Sequence, residues 1–343
     1  DVSWGLYISQ FTFMVGVAAS AVMVAIPYYL HDHKTFGKIV ILGEFLAVSA
    51  VIVCMLFVFV DMGQPTRFLN IILHPTPNSI MFWDMFVLLG YLLLNLVIGW
   101  TVMGAEKKGV PPAGWVKVLA YISIPWAISI HTVTAFLYAG LAGRYYWLSA
   151  IMAARFLSSA FAAGPALLII LCLLLRKFTS FKTSAEAVQS LAKIVTYAMI
   201  ANVFFFMLEV FTAYYSNIPG HMATFKYLFA GLDGYNNLVP FMWTAAGLAL
   251  TGITLLLIPK FRRNEKILPW ALIAVFLASW LDKGIGLVLG GFVPNTFGRI
   301  TEYYPTATEI TIILGIYAIG MLILTILYKV VIGVREQGIG YEH

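Results

Sequence analysis

The residues best suited to chemistry are a few ionisable side chains beside long apolar runs. The densest group is the stretch 61–84, DMGQPTRFLNIILHPTPNSIMFWD, which lies between two such runs. It contains two carboxylates, Asp61 and Asp84, together with Arg67 and His74. Ionisable groups at the edge of an apolar environment can accept protons from a buried substrate. We therefore interpret this stretch as the mouth of a small-molecule site.

The composition predicts the environment in which these residues must be positioned. The chain has 343 residues, of which 61% are hydrophobic and only 10% are charged, whereas a soluble domain is about 25% charged. A polytopic membrane protein is therefore predicted. Backbone groups in hydrocarbon must pair internally, which leaves helices or a closed barrel. The apolar runs are continuous and lack two-residue alternation, so they predict an all-α protein and not a barrel.

Nine apolar runs are long enough to cross a bilayer as helices. Their predicted limits are 7–30, 38–60, 80–104, 116–141, 155–175, 192–215, 237–258, 267–290 and 308–332. The chain begins at Asp1 without a methionine, and we expect further sequence upstream that adds a tenth span. The spans divide into a first four-helix bundle, 1–141, and a second, 142–290. The remainder, 291–343, contains an outer loop, the last helix and a cytoplasmic tail.

The charges of the loops predict the orientation of the spans. One set of loops has few basic residues, namely Arg67, Arg144, Arg155, Lys226 and Arg299, and the other set has most of the 21 lysines and arginines. Cytoplasmic loops are enriched in these residues. A plasma-membrane protein with Asp1 outside and a cytoplasmic C-terminus is therefore predicted. The net charge of +6 is attributed to this topology, because dispersed basic residues are not typical of a nucleic-acid site.

Several polar residues are predicted at a similar depth in the outer half of the first bundle. The set comprises Gln10, Asp61, Asp84, His131 and Tyr138. His131 lies about 15 Å below the outer end of its span at the helical rise, and Tyr138 shares its helix face at i+7. We predict that the five side chains converge on one cavity, with Arg67 and His74 closing its mouth.

A quinone is the substrate that suits such a cavity. It needs an apolar slot and a hydrogen-bonding group at each carbonyl, and quinol oxidation releases two protons that a carboxylate or histidine must accept. Proton handling is assigned to Asp61, Asp84 and His131, and shaping of the pocket to Gln10, Arg67, His74 and Tyr138. Structural alternatives stay open: pairing of Asp61 with Arg67, pairing of Asp84 with a neighbouring span, and simple packing of His131.

Four other ionisable residues lie within spans: Glu44, Glu209, Asp282 and Lys283. An ionisable residue in the bilayer is costly and is often functional. Asp282 and Lys283 are adjacent and point in different directions on a helix, so each is expected to pair with another helix, for example in a Glu209–Lys283 ion pair. A proton route and a structural ion pair are both open, and Glu44 is a candidate start of a route from the cytoplasm.

The sequence offers few ligands for a metal centre. A membrane haem usually needs two histidines on facing helices, and among the 6 histidines only His131 lies in a span. The 2 cysteines, Cys54 and Cys172, are too few for a zinc site or an iron–sulfur cluster. We therefore predict no haem or iron–sulfur cluster in this chain, so metal centres would belong to partner subunits.

Five motifs carry a family resemblance. They are WGLYISQFTFMVGVAASA (4–21), DMGQPTRF (61–68), PNSIMFWD (77–84), HTVTAFLYAGLAGR (131–144) and ITEYYPTATE (300–309). In order and spacing the chain resembles the NrfD/PsrC family, the membrane subunits of polysulfide-reductase-like complexes. Within that family it looks most like the DsrP type, which belongs to a DsrMKJOP complex associated with dissimilatory sulfite reduction.

The resemblance implies a haem-free membrane subunit that binds menaquinone or another quinone. It implies an iron–sulfur ferredoxin-like partner on the outer face and, for a DsrMKJOP-like complex, further membrane and cytochrome subunits. Asp61 and Asp84 match the acidic or histidine pair of related quinol sites in the first bundle. Some relatives have asparagine and histidine where this chain has Ile8 and Phe11, and Gln10 is a candidate substitute.

These observations predict a subunit that exchanges electrons between menaquinone and an iron–sulfur partner on the outer face. Two alternatives stay open. The chain could translocate protons or ions through a relay of Glu44, Glu209, Asp282 and Lys283, or it could be a passive anchor. The segment 221–231 is further predicted to form a short amphipathic helix at the outer surface.

Overall fold

The structure is a computed structural model that describes residues 4–31 and 33–337, without the side chain of residue 337. Within these ranges the chain is helical, and 9 helices are long and apolar enough to cross a membrane. The prediction of an all-α polytopic membrane protein is therefore confirmed. The predictions for Asp1 and for the tail beyond residue 337 lie outside the described residues.

The nine long helices are named α1 to α9 in chain order. They span Leu6–Leu30, Lys34–Asp61, Ile80–Lys108, Gly114–Ala139, Met152–Phe178, Ala185–Tyr215, Val239–Leu257, Leu268–Gly290 and Ala307–Glu336. Several extend beyond the predicted apolar limits, as α3 does to Lys108 and α6 does by starting at Ala185. The apolar pattern stops at the hydrocarbon boundary, whereas a helix continues into the polar interface, where long side chains reach water.

Two of these helices are irregular. In α1, an α-helix over Leu6–Ala18 is followed by Ser20–Ala25 and a π-helical end over Ile26–Leu30. In α8, the α-helix Leu268–Ser279 passes into a π-helical segment, Trp280–Gly286. Such segments inside α-helices are frequent at functional sites. The π-helical segment of α8 contains Asp282 and Lys283.

Helix contacts divide the molecule into two closed rings. In the first bundle α1 packs on α2, α2 on α3, α3 on α4 and α4 on α1, and in the second bundle α5 to α8 close in the same way. The bundles meet where α1 and α4 pack on α5 and where α1 packs on α8. The last helix, α9, lies against α2 and α3, so it covers the first bundle.

The contact between α1 and α5 depends on small residues. A Cβ atom on Gly164 would lie 2.8 Å from the backbone nitrogen of Ser20 and 3.0 Å from the carbonyl oxygen of Val17. Both are backbone atoms of a packed helix, which cannot turn aside as the end of a flexible side chain can, so glycine is required here for the two helices to approach so closely. The two bundles are thus joined by direct backbone packing.

Two shorter elements lie at the end of the bundles where α2 ends and α3 begins, which we call the pocket end. A helix over Pro219–Phe229 matches the predicted segment 221–231, and Thr224 Oγ1 donates to the Val293 carbonyl at 2.8 Å. Between α2 and α3, the connection contains a 3-10 turn, Pro65–Arg67, and a helical turn, Asn70–Leu73. This connection, residues 62–79, is called the covering loop.

One loop assignment is wrong. Arg155 was predicted in a loop of the outer face, but it lies in α5, which begins at Met152, and only 4% of its surface is exposed. A guanidinium in this position needs compensating charge. Glu209 and Asp282 supply that charge, because both carboxylates bond to Arg155.

Candidate functional site

A cavity of about 570 Å³ opens at the pocket end of the first bundle, between α1, α2, α3, α4 and the covering loop. Five of the predicted site residues line it: Asp61, Arg67, His74, Asp84 and Tyr138. Most of the remaining wall is apolar and includes Trp4, Ile8, Phe11, Met55, Val58, Met81, Phe82, Met85, Leu88 and Leu137. The structure thus brings the stretch 61–84 and the end of α4 together around one space.

Asp84 is the most enclosed acid of this cavity, with only 5% of its surface exposed. Its Oδ1 accepts a hydrogen bond from the Thr134 hydroxyl at 2.6 Å. The same hydroxyl lies 2.7 Å from the Ile130 carbonyl, and its single proton can go to only one acceptor at a time. Asp84 is therefore paired with the neighbouring span α4, as the structural alternative from the sequence has it, but through a neutral hydroxyl. Among the described residues it forms no ion pair.

Asp61 lies at the last residue of α2 and is partly exposed. In the described ranges it forms no ion pair with Arg67, so the pairing considered from the sequence is not observed. Arg67 and His74 are exposed on the covering loop, where both face the cavity. The cavity therefore has one enclosed carboxylate and one that is open to water.

Tyr138 forms an aromatic wall between the two carboxylates and the second bundle. Its hydroxyl is hydrogen-bonded to that of Thr12, and its ring meets Trp4 edge-on at a centroid distance of 5.5 Å. Trp147 packs against Tyr138 at 5.1 Å and stacks on Trp4 at 5.6 Å. Such edge and stacked contacts fix the orientation of large rings, so this side of the cavity is rigid.

The start of α1 and the residues just before it, which supply Ile8 and Trp4 to the wall, are held by a remote segment. The Leu6 amide donates to Glu309 Oε1 at 2.9 Å and lies 3.1 Å from the Tyr303 hydroxyl. Burial is the main cause that raises the pKa of Tyr303, so its hydroxyl stays protonated. The beginning of α9 thus positions α1, a contact that the apolar pattern of the sequence does not indicate.

The other wall of the cavity is apolar. Ile8 and Phe11, the two positions at which the family resemblance implies a departure, both line the cavity. Met55, Met81 and Met85 also face it. Methionine side chains are flexible and adapt to the shape of an apolar ligand. This wall can therefore hold a ring by contact and shape and offers few polar groups for it.

Gln10, predicted as a pocket residue, does not line the cavity. Its Oε1 accepts hydrogen bonds from Trp280 Nε1 and from the Tyr317 hydroxyl, both at 2.7 Å. Gln10 follows Ile8 by two positions, and residues so spaced point to different faces of a helix. The side chain therefore ties α1 to α8 and α9.

His131 also lies outside the cavity wall, although the sequence predicts a proton-handling role for it. Its ring is fully buried and lies 6.4 Å from the Phe161 ring of α5. Thr134, which bonds to Asp84, was missed by the sequence reasoning. Its position, three residues after His131 and four before Tyr138 on one face of α4, is the signal that indicates it.

The charged residues of the second bundle form a different arrangement from the one predicted. The Arg155 guanidinium bonds to Glu209 and to both oxygens of Asp282, at 3.1 Å each for the latter. The predicted Glu209–Lys283 ion pair is therefore not formed, because Arg155 takes the carboxylate. Lys283 instead places its Nζ 4.2 Å from the centroid of the Phe156 ring, a cation–π contact.

Glu44 is buried between α2 and α3, far from the cavity. Neither of its carboxylate oxygens has a hydrogen-bond partner in the part of the chain that the structure describes. A Cβ on Gly99 of α3 would lie 3.4 Å from the Glu44 Cβ, so the two helices are close at this level. Buried carboxylates are normally paired, and Glu44 is therefore a site that needs explanation.

Comparison with known proteins gives the class and then the family. In the described residues, 9 helices are long and apolar enough to cross a membrane, which makes the chain a multi-pass membrane protein. The family model described as "Polysulphide reductase, NrfD" matches residues 1–293, and the chain belongs to this family.

Three relatives extend this finding. A protein of Halobacterium salinarum named as a dimethyl sulfoxide reductase membrane subunit is 26% identical over 94% of this chain and 81% of its own length. A selenate reductase subunit of Mesobacillus selenatarsenatis is 29% identical over 49% of this chain and 47% of its own length. An Hdr-like menaquinol oxidoreductase integral membrane subunit of Archaeoglobus fulgidus is 20% identical over 98% of this chain and 87% of its own length.

Proposed function

We propose that the chain is the quinone-interacting membrane subunit of a respiratory redox complex. It exchanges electrons between menaquinone or menaquinol and an iron–sulfur subunit docked at the pocket end. The observation that carries the proposal is the placement of Asp61 and Asp84 in the wall of a largely apolar cavity of about 570 Å³. The relative named as a menaquinol oxidoreductase subunit supports the choice of quinone.

Each part of the cavity has a role in this proposal. The apolar wall formed by α1, α2 and α3 holds the ring and tail of the quinone. Oxidation of a quinol releases two electrons and two protons, and the electrons leave to the partner. Asp84 accepts a proton at the enclosed end, since its bond to Thr134 keeps Oδ1 in place. Asp61, near the covering loop, passes protons to water.

The partner arrangement follows from the topology and the relatives. The loop charges support a plasma-membrane location with the pocket end outside and the C-terminus in the cytoplasm. Relatives named as subunits of dimethyl sulfoxide and selenate reductases support a subunit that works only within a complex. The motif resemblance favours an outer ferredoxin-like subunit in a DsrMKJOP-like complex, with a link to sulfite or sulfate reduction.

The proposal is tested by replacing Asp84 with asparagine in the intact complex. Asparagine keeps the size of the side chain and an acceptor oxygen for Thr134, but it cannot take up a proton. Quinol oxidation is expected to fall by about 10²–10⁴-fold, the usual contribution of a general base. The measurement is steady-state quinol oxidation by purified complex, with assembly checked by the size of the complex and by the subunits that it retains.

The matched control is Glu265→Gln, which removes a carboxylate that is paired with Arg176 and lies far from the cavity. It should leave quinol oxidation unchanged. An assembled Asp84→Asn complex with normal turnover would exclude Asp84 as the proton acceptor. Failure of the wild-type complex to bind a quinone analogue would instead favour the passive anchor.

Proton translocation is a second candidate function, and the observation that favours it is the buried Glu44, whose carboxylate has no hydrogen-bond partner among the residues that the structure describes. A protonatable group about 15 Å from the start of α2, at the helical rise, lies between the opposite surface and the cavity. If protons move through it, wild-type vesicles release more protons per electron than quinol oxidation supplies, and Glu44→Gln removes the excess. A ratio equal to that of the quinol alone in wild-type vesicles would contradict translocation.

A further inference from the structure

Exposed basic side chains from two elements lie at the end of the second bundle that is opposite the pocket end. At this end α6 begins at Ala185, and α7 is joined to α8 through residues 258–267, which we call the α7–α8 connection. The exposed basic residues are Lys193 of α6 and, in the connection, Lys260, Arg263 and Lys266. These four residues are called the basic cluster. Within the described ranges none of them forms an ion pair.

A hydrogen bond joins the two elements that carry the cluster. Gln189 Nε2 of α6 donates to the Arg262 carbonyl oxygen of the connection at 3.1 Å. Lys193 follows Gln189 by one helical turn on the same face of α6, and Arg263 follows Arg262 directly in the chain. This contact therefore brings a lysine of α6 to the same part of the surface as the basic residues of the connection.

The connection holds its basic residues in a fixed helical turn. The Arg263 amide donates to the Pro259 carbonyl oxygen at 3.0 Å, so Lys260 and Arg263 are neighbours on one face of the turn. Arg262 is buried, with only 8% of its surface exposed, and its Nη1 donates to the Leu256 carbonyl oxygen at 2.8 Å. The buried arginine stabilises the turn, while Lys260 and Arg263 remain exposed together.

Two acids of the described residues lie near this end, and neither compensates the basic cluster. Glu265 of the connection pairs with Arg176 of α5 at 2.8 Å. Glu186 lies two helical turns before Lys193, about 10 Å further toward the aqueous side at the helical rise. The cluster can therefore bind an anion from outside the chain.

Two exposed aromatic side chains indicate the depth of the cluster. Tyr197 and Trp270 have 67% and 70% of their surfaces exposed. Tyr197 follows Lys193 by one helical turn, toward the middle of α6, and Trp270 has the same relation to Lys266 at the start of α8. Exposed tyrosine and tryptophan are enriched at the level of the lipid headgroups. The basic cluster therefore lies at the headgroup layer, and the exposed Phe204, further along α6, adds an apolar surface beneath it.

We propose that the basic cluster binds the headgroup of an anionic membrane phospholipid, whose acyl chains lie along the exposed apolar face of α6. Lysine and arginine side chains donate charge-assisted hydrogen bonds to phosphate oxygens, and basic residues between transmembrane helices bind anionic headgroups. A free phosphate offers the same oxygens but has no chains for the apolar face. The bound lipid joins α6 to the α7–α8 connection and so adds to the hydrogen bond between Gln189 and Arg262. This binding involves no quinone, so its test is independent of the proposed function.

A second set of exposed lysines, at the same end of the first bundle, provides a matched comparison. It consists of Lys107 and Lys108 at the end of α3 and Lys117 at the start of α4. Lys107 and Lys108 are adjacent, so they point in different directions from the helix. Lys117 places its Nζ 5.8 Å from the centroid of the Tyr121 ring. Two of these lysines thus point apart and the third contacts its own helix, so this set is not expected to hold one headgroup.

The test uses purified complex and a phosphatidylglycerol that carries a photoreactive group near its headgroup. Mass spectrometry of the labelled peptides from residues 189–204 and 258–270, as the lipid concentration is raised, gives the affinity of this site. Lys193→Gln, Lys260→Gln and Arg263→Gln combined should weaken binding about 100-fold, since each basic residue near an anionic headgroup contributes about fivefold. Lys193→Arg combined with Lys260→Arg keeps the charges and should be labelled as the wild type is.

The control combines Lys107→Gln, Lys108→Gln and Lys117→Gln, which removes the same charge and should leave the labelling of this site unchanged. An equal loss in both triple variants would overturn the proposal, because it would reflect overall charge and not a site. Equal labelling by a phosphatidylcholine probe would exclude an anionic headgroup, and full competition by millimolar inorganic phosphate would show a free-anion site instead. These two measurements on the wild type need no substitution, so they decide the proposal even if a variant does not assemble.

Discussion

In the first bundle the carboxylates Asp61 and Asp84 face a cavity of about 570 Å³, whereas in the second bundle Glu209 and Asp282 both bond to Arg155. The cavity beside Arg155 measures only about 10 Å³, which is roughly the space of one water molecule. Both bundles thus place two acids near the pocket end. Of these four acids, the two in the first bundle have no cation paired with them among the described residues and lie beside a space that a ligand can enter.

This difference indicates how the same four-helix arrangement can serve two purposes. A buried ion pair fixes the helices that contribute to it, because removal of one charge leaves the other buried without a partner. A carboxylate held by a neutral hydroxyl, as Asp84 is held by Thr134, can change its protonation state at lower cost. The first bundle is therefore suited to chemistry, and the Arg155 network of the second bundle to holding a fixed geometry.

Of the substitutions that test this comparison, Arg155→Met has the largest expected effect on stability. The substitution leaves Glu209 and Asp282 buried without a cation, and breaking a buried pair by removing one partner costs about 3–5 kcal/mol. We expect a strong loss of assembled complex and a lower thermal midpoint in detergent. By contrast, Asp84→Asn should change the thermal midpoint little while it lowers turnover by about 10²–10⁴-fold.

A compensated variant separates the loss of charge balance from the loss of packing. Arg155→Met combined with Glu209→Met and Asp282→Leu removes all three charges, and replacement of a whole buried ion network by apolar side chains of similar size is often close to neutral. The combined variant should recover most of the stability. If Arg155→Met alone is as stable as the wild type, the second bundle does not depend on this network and the contrast between the bundles is wrong.

The architecture could be predicted from the sequence because the bilayer imposes it. In the described part of the chain the nine apolar runs form nine helices, and the stretch 61–84 forms the mouth of the cavity. The helix ends were less well predicted, as at Ala185, because amphipathic turns continue past the hydrocarbon. The position of α9 against α2 and α3 could not be predicted, since its apolar surface carries no sign of which bundle it covers.

The polar partners were the harder part to predict. Depth along a span follows from counting residues, and it correctly grouped Asp61, Asp84 and Tyr138. The direction of a side chain around the helix depends on packing, which is why Gln10 and His131 were expected in the cavity and are not there. Arg155 was assigned to a loop because basic residues were taken to mark the ends of the spans. In the structure it lies within a span, where two acids on other helices compensate its charge.

Gln10 offers the smallest and most direct test of that distinction. Gln10→Leu leaves Trp280 Nε1 and the Tyr317 hydroxyl without their common acceptor. An unsatisfied buried group costs about 1–3 kcal/mol, and since both donors are only partly buried we expect about 1 kcal/mol for each. The thermal midpoint should fall, by less than in Arg155→Met. The KM for quinol should stay the same, because the side chain does not reach the cavity.

The matched comparison introduces Gln10→Leu into a protein that already has Trp280→Phe and Tyr317→Phe. With both donors removed, Gln10 Oε1 no longer accepts these hydrogen bonds, so its replacement by leucine should cost little further stability. A several-fold rise in KM with an unchanged thermal midpoint would restore the interpretation from the sequence, in which Gln10 contacts the quinone. The measured pair of values thus decides whether α1 contributes polar groups to the cavity or supplies it only with an apolar wall.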